Sequence, residues 1–290
     1  MVCYNMIMVK KRKKFPTGIV IAVLALIFVG INTFFLINGI ESYDYVVETN
    51  AFFAPFEYYD NRKIVGVDIE IINRVAKKLN ARIDVKNVEF DIIIDNVANG
   101  VIADAGAAGL TITPARAEKV NFSIPYYTSV QYVIFDQNNV PEIRDGYVVW
   151  GALAGKILGS QTGGTGYLFA SDEVEEGVLA GTGTTIKGLD SHQLAADAIA
   201  AHIIDYAIAD ELAAQFIVEK NPNLIALPLY YKNESGDYPV EESYAIAVNK
   251  QRPELLEAFN EVLSELLEPG EDGQTEIDKL ILKYMGLENE

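Results

Sequence analysis

The sequence predicts an α/β protein whose two lobes are joined by a hinge, preceded by one N-terminal transmembrane helix. Short β-branched runs alternate with segments whose apolar residues recur at helical spacing, which is typical of a sheet covered by helices on both faces. Segments near residues 132–138 and 224–232 are expected to cross between lobes, and a basic cluster followed by an apolar run opens the chain. With 290 residues, half of them hydrophobic, the chain can bury a sizeable core.

The N-terminal region combines positive charge with a long apolar run. Residues 10–14 are all Lys or Arg, and residues 18–40 carry no charge. Such a run can cross about 30 Å of hydrocarbon, and its basic flank favours a cytoplasmic N-terminus. We therefore expect a cytoplasmic segment at 1–14 and an uncleaved signal anchor at 15–40, which would make this a single-pass protein of the cell membrane. A cleaved signal peptide is the alternative, although the run is long and its exit lacks a small-x-small site.

The first expected structural unit is a strand followed by a helix. Residues 45–49 form a β-branched run, and residues 68–79 place apolar side chains three or four apart, on one helical face. Strands are expected again at 83–88 and 101–105, with a helix at 91–98 between them. This alternation predicts a parallel sheet, whose ligands bind beyond the carboxyl ends of the strands.

The second expected unit repeats the pattern. A strand begins near residue 156, a helix is capped by Ser191, and a strand at 205–210 opens into a helix at 211–220. A long amphipathic helix then starts at Pro253, and a last helix runs from about 274 to 284.

The two crossings divide the chain into a discontinuous first lobe and an inserted second lobe. We expect the first lobe to contain residues 41–131 and 232–290, and the second lobe to contain residues 132–231. Such a pair of lobes can open and close about the two connections between them.

Composition excludes several classes of function. The net charge of −18 makes nucleic acid and anionic lipid poor partners. The single cysteine, Cys3, precedes the apolar run, so no disulfide is expected outside the cell. His192 and His202 lack partners at metal-ligand spacing, and no Ser-His-Asp or Cys-His arrangement can be assembled. We therefore expect no metal, no cofactor and no catalytic residue.

One arginine stands in a segment suited to holding a carboxylate. In residues 109–129, small residues lead to Arg116 and a tyrosine pair follows. A planar guanidinium holds both oxygens of a carboxylate at once, and Gly109 lets the backbone come close to a ligand. The alternative is an exposed loop arginine paired with Glu118.

The order and spacing of three segments, 49–58, 64–79 and 109–129, resemble those of the family 3 solute-binding proteins of amino-acid ABC transporters. The resemblance covers about residues 44–287 and implies the type II periplasmic-binding-protein fold. It also implies a protein that is not an enzyme, binds a free amino acid on the periplasmic or extracellular side, and delivers it to ABC permease subunits. We expect a monomer held at the membrane by its N-terminal helix.

The resemblance assigns the carboxylate end of the ligand to Arg116. Backbone amides at Thr111 and in a loop of the second lobe would assist the guanidinium. That loop consists of Gly163, Gly164 and Thr165.

The resemblance assigns the ammonium of the ligand to Asp210. The carbonyl of Gly109 and the hydroxyl of Thr111 would complete this subsite. A cap on the helix that begins at Glu211 is the alternative role for Asp210, and both roles can hold.

The resemblance places the ligand side chain between the rings of Phe53 and Phe90, although an aromatic residue is also a common core residue. By the resemblance, Asn50 occupies a position that is Asp in family members that select cationic or amide side chains. Gln161 is also expected at the end of the cleft that holds the ligand side chain. Two neutral polar groups favour a neutral ligand such as glutamine, with an apolar amino acid as the alternative.

Three other functions share the predicted fold. A membrane-bound lytic transglycosylase would need a further catalytic domain, which we do not expect here. An aromatic-precursor dehydratase would need a general acid in the cleft, and an aspartate that holds an ammonium, Asp210, argues against it. An amino-acid-sensing module would normally be followed by a signalling domain, which we do not expect here, although delivery to a separate sensor protein stays open.

Overall fold

A computed structural model describes residues 43–233 and 236–287. The expected cytoplasmic segment at 1–14 and the signal anchor at 15–40 lie outside the described residues. Among the helices of the described ranges, none combines the length and the apolar character that a bilayer crossing requires.

The first lobe is built on a five-stranded mixed sheet. Strand β1 (Tyr45–Thr49) pairs in parallel with both of its neighbours, whereas strand β16 (Ala247–Val248), which returns from the second lobe, runs antiparallel to its two neighbours. The expected parallel sheet is therefore only partly correct. In spatial order the strands are β5 (Ile83–Asn87), β1 (Tyr45–Thr49), β6 (Ala105–Gly106), β16 (Ala247–Val248) and β7 (Asn121–Phe122). A separate three-stranded sheet contains β2 (Phe52–Phe53), β3 (Glu57–Asp60) and β4 (Lys63–Val65).

The second lobe is built on an eight-stranded sheet that is also mixed. Its main order is β11 (Thr185–Leu189), β10 (Ile157–Gln161), β12 (Tyr206–Asp210), β8 (Tyr127–Asp136), β13 (Leu224–Asn233) and β14 (Gly236–Pro239). The short β9 (Val148–Val149) pairs with β13, and β15 (Glu241–Tyr244) pairs with β8. The first three of these strands are parallel, and β8 lies antiparallel to its neighbours.

Two antiparallel strands, β8 and β15, carry the chain between the sheets. Residues 127–130 of β8 pair with residues 241–244 of β15, and the first lobe precedes one strand and follows the other. These connections lie before and after the crossings expected near 132–138 and 224–232. The lobe limits at 131/132 and 231/232 stay a prediction.

Helices cover both faces of each sheet. In chain order they are α1 (Val67–Leu79), α2 (Ile93–Asn99), α3 (Pro114–Lys119), α4 (Thr165–Glu175), α5 (His192–Ala200), α6 (Glu211–Lys220), α7 (Pro253–Leu266) and α8 (Glu276–Met285). Single 3-10 turns lie at Phe90–Ile92 and Trp150–Leu153.

The helices expected from periodicity are present within a few residues. Helix α1 begins one residue before the expected 68–79 and ends at Leu79, and Asn80 caps it in the left-handed conformation. The expected helix at 91–98 opens as a 3-10 turn before α2 begins. The expected strand at 101–105 is reduced to the two residues of β6, because residues 101–104 only lead into the sheet.

Alternation along the strands divides the core of each lobe between two faces. In β12, Tyr206 and Ile208 face one apolar cluster, and Ala207 and Ala209 face the other. All four are at least 99% buried, so β12 forms a rigid centre for the second lobe. Asp210 ends this strand, and the rigidity of the strand fixes where its carboxylate lies.

Candidate functional site

A small cavity lies where the two lobes face each other. Its volume is about 10 Å³, far below the roughly 300 Å³ of an open small-molecule site, so the facing surfaces of the two lobes are nearly in contact here. Eight of the eleven residues predicted to bind ligand line it: Phe53, Phe90, Gly109, Thr111, Gln161, Gly164, Thr165 and Asp210. Ala108 and His192, which the sequence did not indicate, also line it. The other three predicted residues, Asn50, Arg116 and Gly163, are hydrogen-bonded to lining residues or to one another.

Strand ends bring these residues together. Asn50 follows β1, Gln161 ends β10, and Asp210 ends β12. The carboxyl ends of parallel strands meet at one edge of a sheet, and here that edge of each lobe faces the other lobe. The sequence therefore places polar groups at the cleft although most of them are far apart in the chain.

Position 109 requires a glycine because of its backbone conformation and because of the nearby ring of Phe53. Its φ is +54°, a region that L side chains rarely adopt, and a Cβ there would overlap the ring of Phe53. The close approach lets the Phe53 ring cover this turn of the backbone, whereas the motif predicted a close approach to the ligand.

Arg116 is a buried helical residue, and neither the loop position nor the exposed pairing with Glu118 describes it. Helix α3 is capped by the Thr113 hydroxyl, which accepts a hydrogen bond from the Arg116 amide at 3.2 Å, and Pro114 starts the helix. The side chain is 8% exposed. Its guanidinium donates to the carbonyls of Thr111 and Gly163, both at 2.9 Å, and so reaches from one lobe to the other.

The electrostatics of Arg116 favour an incoming anion. Burial lowers the pKa of the guanidinium, and the carboxylates of Glu242 and Asp210 oppose that shift. Its two acceptors, of which only the Gly163 carbonyl lies across the cleft, are neutral carbonyls, which stabilise a buried cation less than a carboxylate does. The Phe90 ring lies 5.6 Å from the guanidinium carbon. A ligand carboxylate would therefore meet a desolvated donor of opposite charge.

Asp210 holds the N-cap position of α6 without capping it through its side chain. Its Oδ2 accepts a hydrogen bond from the phenol of Tyr244 at 2.5 Å, and its Oδ1 accepts one from the side-chain amide of Gln131. The carboxylate therefore faces the cleft instead of the helix. Asp210 is 6% exposed, so its carboxyl group is held away from bulk water by these two donors.

A second carboxylate, that of Glu242, lies beside Asp210. Its Oε2 accepts hydrogen bonds from the hydroxyls of Thr111 at 2.6 Å and Thr165 at 2.5 Å, and its Oε1 accepts one from Gln131 at 2.5 Å. Burial and the neighbouring charge of Asp210 raise the pKa of Glu242 to about 8, against the effect of the two hydroxyls.

The side-chain end of the cavity is neutral. Gln161 donates from its amide nitrogen to the side-chain oxygen of Asn50 at 2.9 Å, and Asn50 donates to the carbonyl of Val88 at 2.8 Å. The ring of Phe53 lies 5.4 Å from that of His192. Burial lowers the pKa of His192, which keeps the imidazole neutral near pH 7.

Three polar residues of the site were missed by sequence reasoning, and a fourth was misjudged. Gln131, Glu242 and Tyr244 meet only because β8 and β15 form the connection between the lobes. Their alternation in two strands could have indicated inward-facing polar groups, since Ser129 and Gln131 are both fully buried. His192 was considered only as a metal ligand and was not expected at the site, whereas it is buried and lines the cavity.

Within the described ranges, no group of three or more His, Cys, Asp or Glu side chains is arranged to hold a metal ion. The site offers one buried cation, two buried carboxylates, neutral amides and aromatic rings. That set suits a small molecule with separate positive and negative groups.

Residues 45–286 match the bacterial extracellular solute-binding proteins, family 3. The chain belongs to this family. Arginine-binding extracellular protein ArtP of Bacillus subtilis (strain 168) is 26% identical over 229 residues, which cover 78% of this chain and 82% of ArtP. The resemblance to the substrate-binding proteins of amino-acid ABC transporters is thereby confirmed.

Solved structures agree in fold. The amino acid ABC transporter substrate-binding protein AbpA from Streptococcus pneumoniae Canada MDR_19A, bound to L-arginine, has a TM-score of 0.70 and 29% identity. The match covers 85% of this chain and 96% of AbpA. An ancestral arginine-binding protein bound to glutamine has a TM-score of 0.67 and 31% identity, with 83% and 97% covered.

Family membership settles the broad class of the protein. It is an extracytoplasmic amino-acid-binding protein of ABC transport with the two-lobed periplasmic-binding-protein fold, and it is not an enzyme. The alternative function of an aromatic-precursor dehydratase is therefore excluded.

Proposed function

We propose that this protein binds a free L-amino acid with a neutral polar side chain, such as glutamine, by closing its lobes, and delivers it to an ABC permease. The observation that carries the proposal is the pair Arg116 and Asp210. These buried groups of opposite charge come from different lobes; Asp210 lines the cavity, and Arg116 is hydrogen-bonded to the lining residue Thr111.

The carboxylate of the ligand would exchange with the carbonyls that Arg116 now contacts. Arg116 has five N–H donors in a planar fork, which matches a carboxylate at two points. The loop of Gly163, Gly164 and Thr165 opens helix α4, whose N-terminal amides favour an anion. These features support the assignment of the carboxylate end to these residues.

The ammonium of the ligand would lie against Asp210. Thr111 and Gly109, whose hydroxyl and carbonyl would complete this subsite, line the same cavity as Asp210. A carboxylate that is fixed by Gln131 and Tyr244 is already oriented, so ligand binding need not order it.

The side chain of the ligand would extend between Phe53 and Phe90 toward the paired amides of Asn50 and Gln161. Neutral amides accept and donate without the charge that a cationic side chain requires, which supports a glutamine-like ligand. The L-arginine bound to AbpA supports a cationic ligand as the second candidate.

The ligand would drive closure because each lobe offers only part of its complement. The antiparallel pair β8 and β15 is the proposed hinge, since both connections between the sheets run through it. A ligand shifts an open-closed equilibrium only through contacts that it gains in one state, and Asp210 together with the 163–165 loop would supply them.

Calorimetry on the purified full-length chain in detergent tests the proposal, after a thermal-shift screen of the twenty amino acids. Arg116→Ala should lose at least about 2–3 kcal/mol of binding free energy, because a carboxylate would enter the cleft without its counter-charge. Lys119→Ala on the same helix is the control, because Lys119 pairs with Asp95 at the exposed surface and should not affect binding. Undiminished affinity in Arg116→Ala would refute the role of Arg116, and binding of no amino acid would refute the function.

A further inference from the structure

The carboxylate of Glu242 has no role in the ligand contacts described above, although two residues that line the cavity, Thr111 and Thr165, donate hydrogen bonds to it. We propose that Glu242 is a ligand-binding residue that shares the ammonium of the amino acid with Asp210 and releases a proton when the ammonium arrives. This inference rests on the proposed function, and it adds a third charged residue to the Arg116 and Asp210 pair.

The shared donor of Gln131 shows how close the two carboxylates are. Its single side-chain nitrogen donates to Oδ1 of Asp210 and to Oε1 of Glu242. Two carboxyl groups held by one NH₂ group are near neighbours, and like charges at such distances do not both ionise freely. One proton on the pair relieves the repulsion.

The other contacts of Glu242 place it in the ammonium subsite. Its Oε2 accepts from the hydroxyl of Thr111, the group that the proposed function places on the ammonium, and from the hydroxyl of Thr165. An ammonium bound to Thr111 and Asp210 would therefore lie within a few ångströms of Glu242. Rotation of the two hydroxyls would free Oε2 to accept from the ammonium directly.

The charged and titratable groups that face this pair determine the direction of proton exchange. Arg116 approaches from α3, Tyr244 donates to Asp210 from β15, and His192 approaches from α5 with an imidazole that burial keeps neutral. Arg116 is engaged by two carbonyls now and by the ligand carboxylate in the complex. The new charge nearest Glu242 is therefore the ammonium.

The pH range of the effect follows from the titration of Glu242. In the ligand-free cleft, burial and Asp210 hold its pKa at about 8, so it carries a proton at neutral pH. An opposite charge within about 4–6 Å lowers the pKa of a carboxyl group by about 1–3. Binding should therefore release up to about one proton near pH 7, and affinity should rise with pH up to about 8 and then level off.

Titration calorimetry in two buffers tests the inference. L-glutamine, and L-arginine as a second probe, are titrated into the full-length protein at pH 7 in phosphate and in Tris, whose ionisation enthalpies differ. The expected result is a buffer-dependent heat that reports release of about 0.5–1 proton, with a dissociation constant that falls up to about tenfold per pH unit between pH 6 and 8.

Glu242→Gln keeps the hydrogen-bonding shape but cannot exchange a proton. It should show buffer-independent heats and weaker binding. Glu241→Gln, the same change at the exposed neighbouring residue, should behave like the wild type. If Glu242→Gln does not fold, the wild-type titrations in the two buffers test the inference by themselves.

The possible failures are distinguishable. Wild-type binding with equal heats in both buffers, or with proton uptake, would overturn the role of Glu242 and leave the proposed function standing. Unchanged proton release in a folded Glu242→Gln variant would do the same. Absence of binding by any of the twenty amino acids would overturn both.

Discussion

The phenol of Tyr244 donates a hydrogen bond of 2.5 Å to Oδ2 of Asp210, and this bond joins strand β15 to the end of strand β12. Tyr244 is 1% exposed, and burial together with Asp210 raises its pKa well above the usual value. The phenol therefore stays protonated and keeps donating across the physiological range. The connection between the lobes is thus bonded directly to the residue proposed to hold the ammonium.

Tyr244→Phe should destabilise the protein by about 1.5–3 kcal/mol, because a buried carboxylate loses one of its donors. Urea unfolding followed by circular dichroism measures the change. Tyr59→Phe, at a ring that is 48% exposed, is the control and should change stability little. If Tyr244→Phe were as stable as the wild type, the Asp210 carboxylate would have found another hydrogen-bond donor.

Asp210→Ala should bind ligand weakly through the first lobe and show little compaction. Small-angle scattering with and without ligand should give a smaller radius of gyration for the liganded wild type, because closure depends on contacts from the second lobe. Asp197→Ala, at an exposed site in α5, should compact like the wild type. Full compaction of Asp210→Ala would show that another group closes the cleft.

Gly109→Ala should cost more stability than Gly146→Ala, although both glycines have positive φ. Each substitution forces a side chain into the left-handed region, at about 1–2 kcal/mol. Gly146 has open space around it, whereas a Cβ at Gly109 meets the ring of Phe53. Thermal unfolding should therefore separate the two variants by about 1 kcal/mol or more, and ligand affinity should fall in Gly109→Ala alone. Equal losses would mean that the ring of Phe53 moves freely.

Stability should depend on pH through Asp68. Burial raises its pKa to about 6 from the ordinary 3.8, although the Tyr126 phenol and the Gly109 amide oppose that shift. The folded state therefore holds a proton that the unfolded chain has lost, so stability falls as pH rises from about 4 to 6. The resulting loss in the free energy of unfolding is on the order of 3 kcal/mol.

Asp68→Asn removes this titration. Well above pH 6 Asp68 of the wild type has also stopped titrating, so that pH range serves as the internal control. The stability of the wild type relative to the variant should decline between pH 4 and 6 and then stay level, as measured by urea unfolding at each pH. Parallel curves for the two proteins would contradict the raised pKa.

Residues 1–40 should remain attached to the mature protein as a single membrane anchor with its N-terminus in the cytoplasm. The apolar run at 18–40 and the basic cluster at 10–14 are the reasons. Mass spectrometry of the mature N-terminus, with alkaline extraction of membranes, measures this. A chain that starts near residue 39–43 and is released by extraction would show a cleaved signal instead.

Local signals in the sequence were sufficient for most helices. Ser191 caps α5 by accepting from the Leu194 amide, and α6 occupies the expected residues, because caps and apolar periodicity act over a few positions. The resemblance likewise led to the buried Arg116, although its helical setting depends on a cap by Thr113 that the motif did not reveal.

The polar network behind Asp210 could not be derived in the same way. Gln131 and Glu242 are 111 positions apart and meet only through the pairing of β8 with β15. Strand pairing over such separations is set by the whole sheet, and a buried glutamate is rare enough that exposure is the usual expectation. His192 reached the cavity for a similar reason, because its contact with Phe53 depends on how α5 packs against the other lobe.

The hydrogen bonds that cross the cleft compete with the ligand for the same polar groups. Gln161 bonds to Asn50, and Arg116 bonds to the Gly163 carbonyl, each at 2.9 Å and each between groups proposed to contact the amino acid. A ligand must exchange these bonds for its own, so the enthalpy of binding reflects a difference between two satisfied networks. Weakening the internal bonds, for instance by shortening Gln161, would therefore tighten the binding of any ligand that does not need that amide.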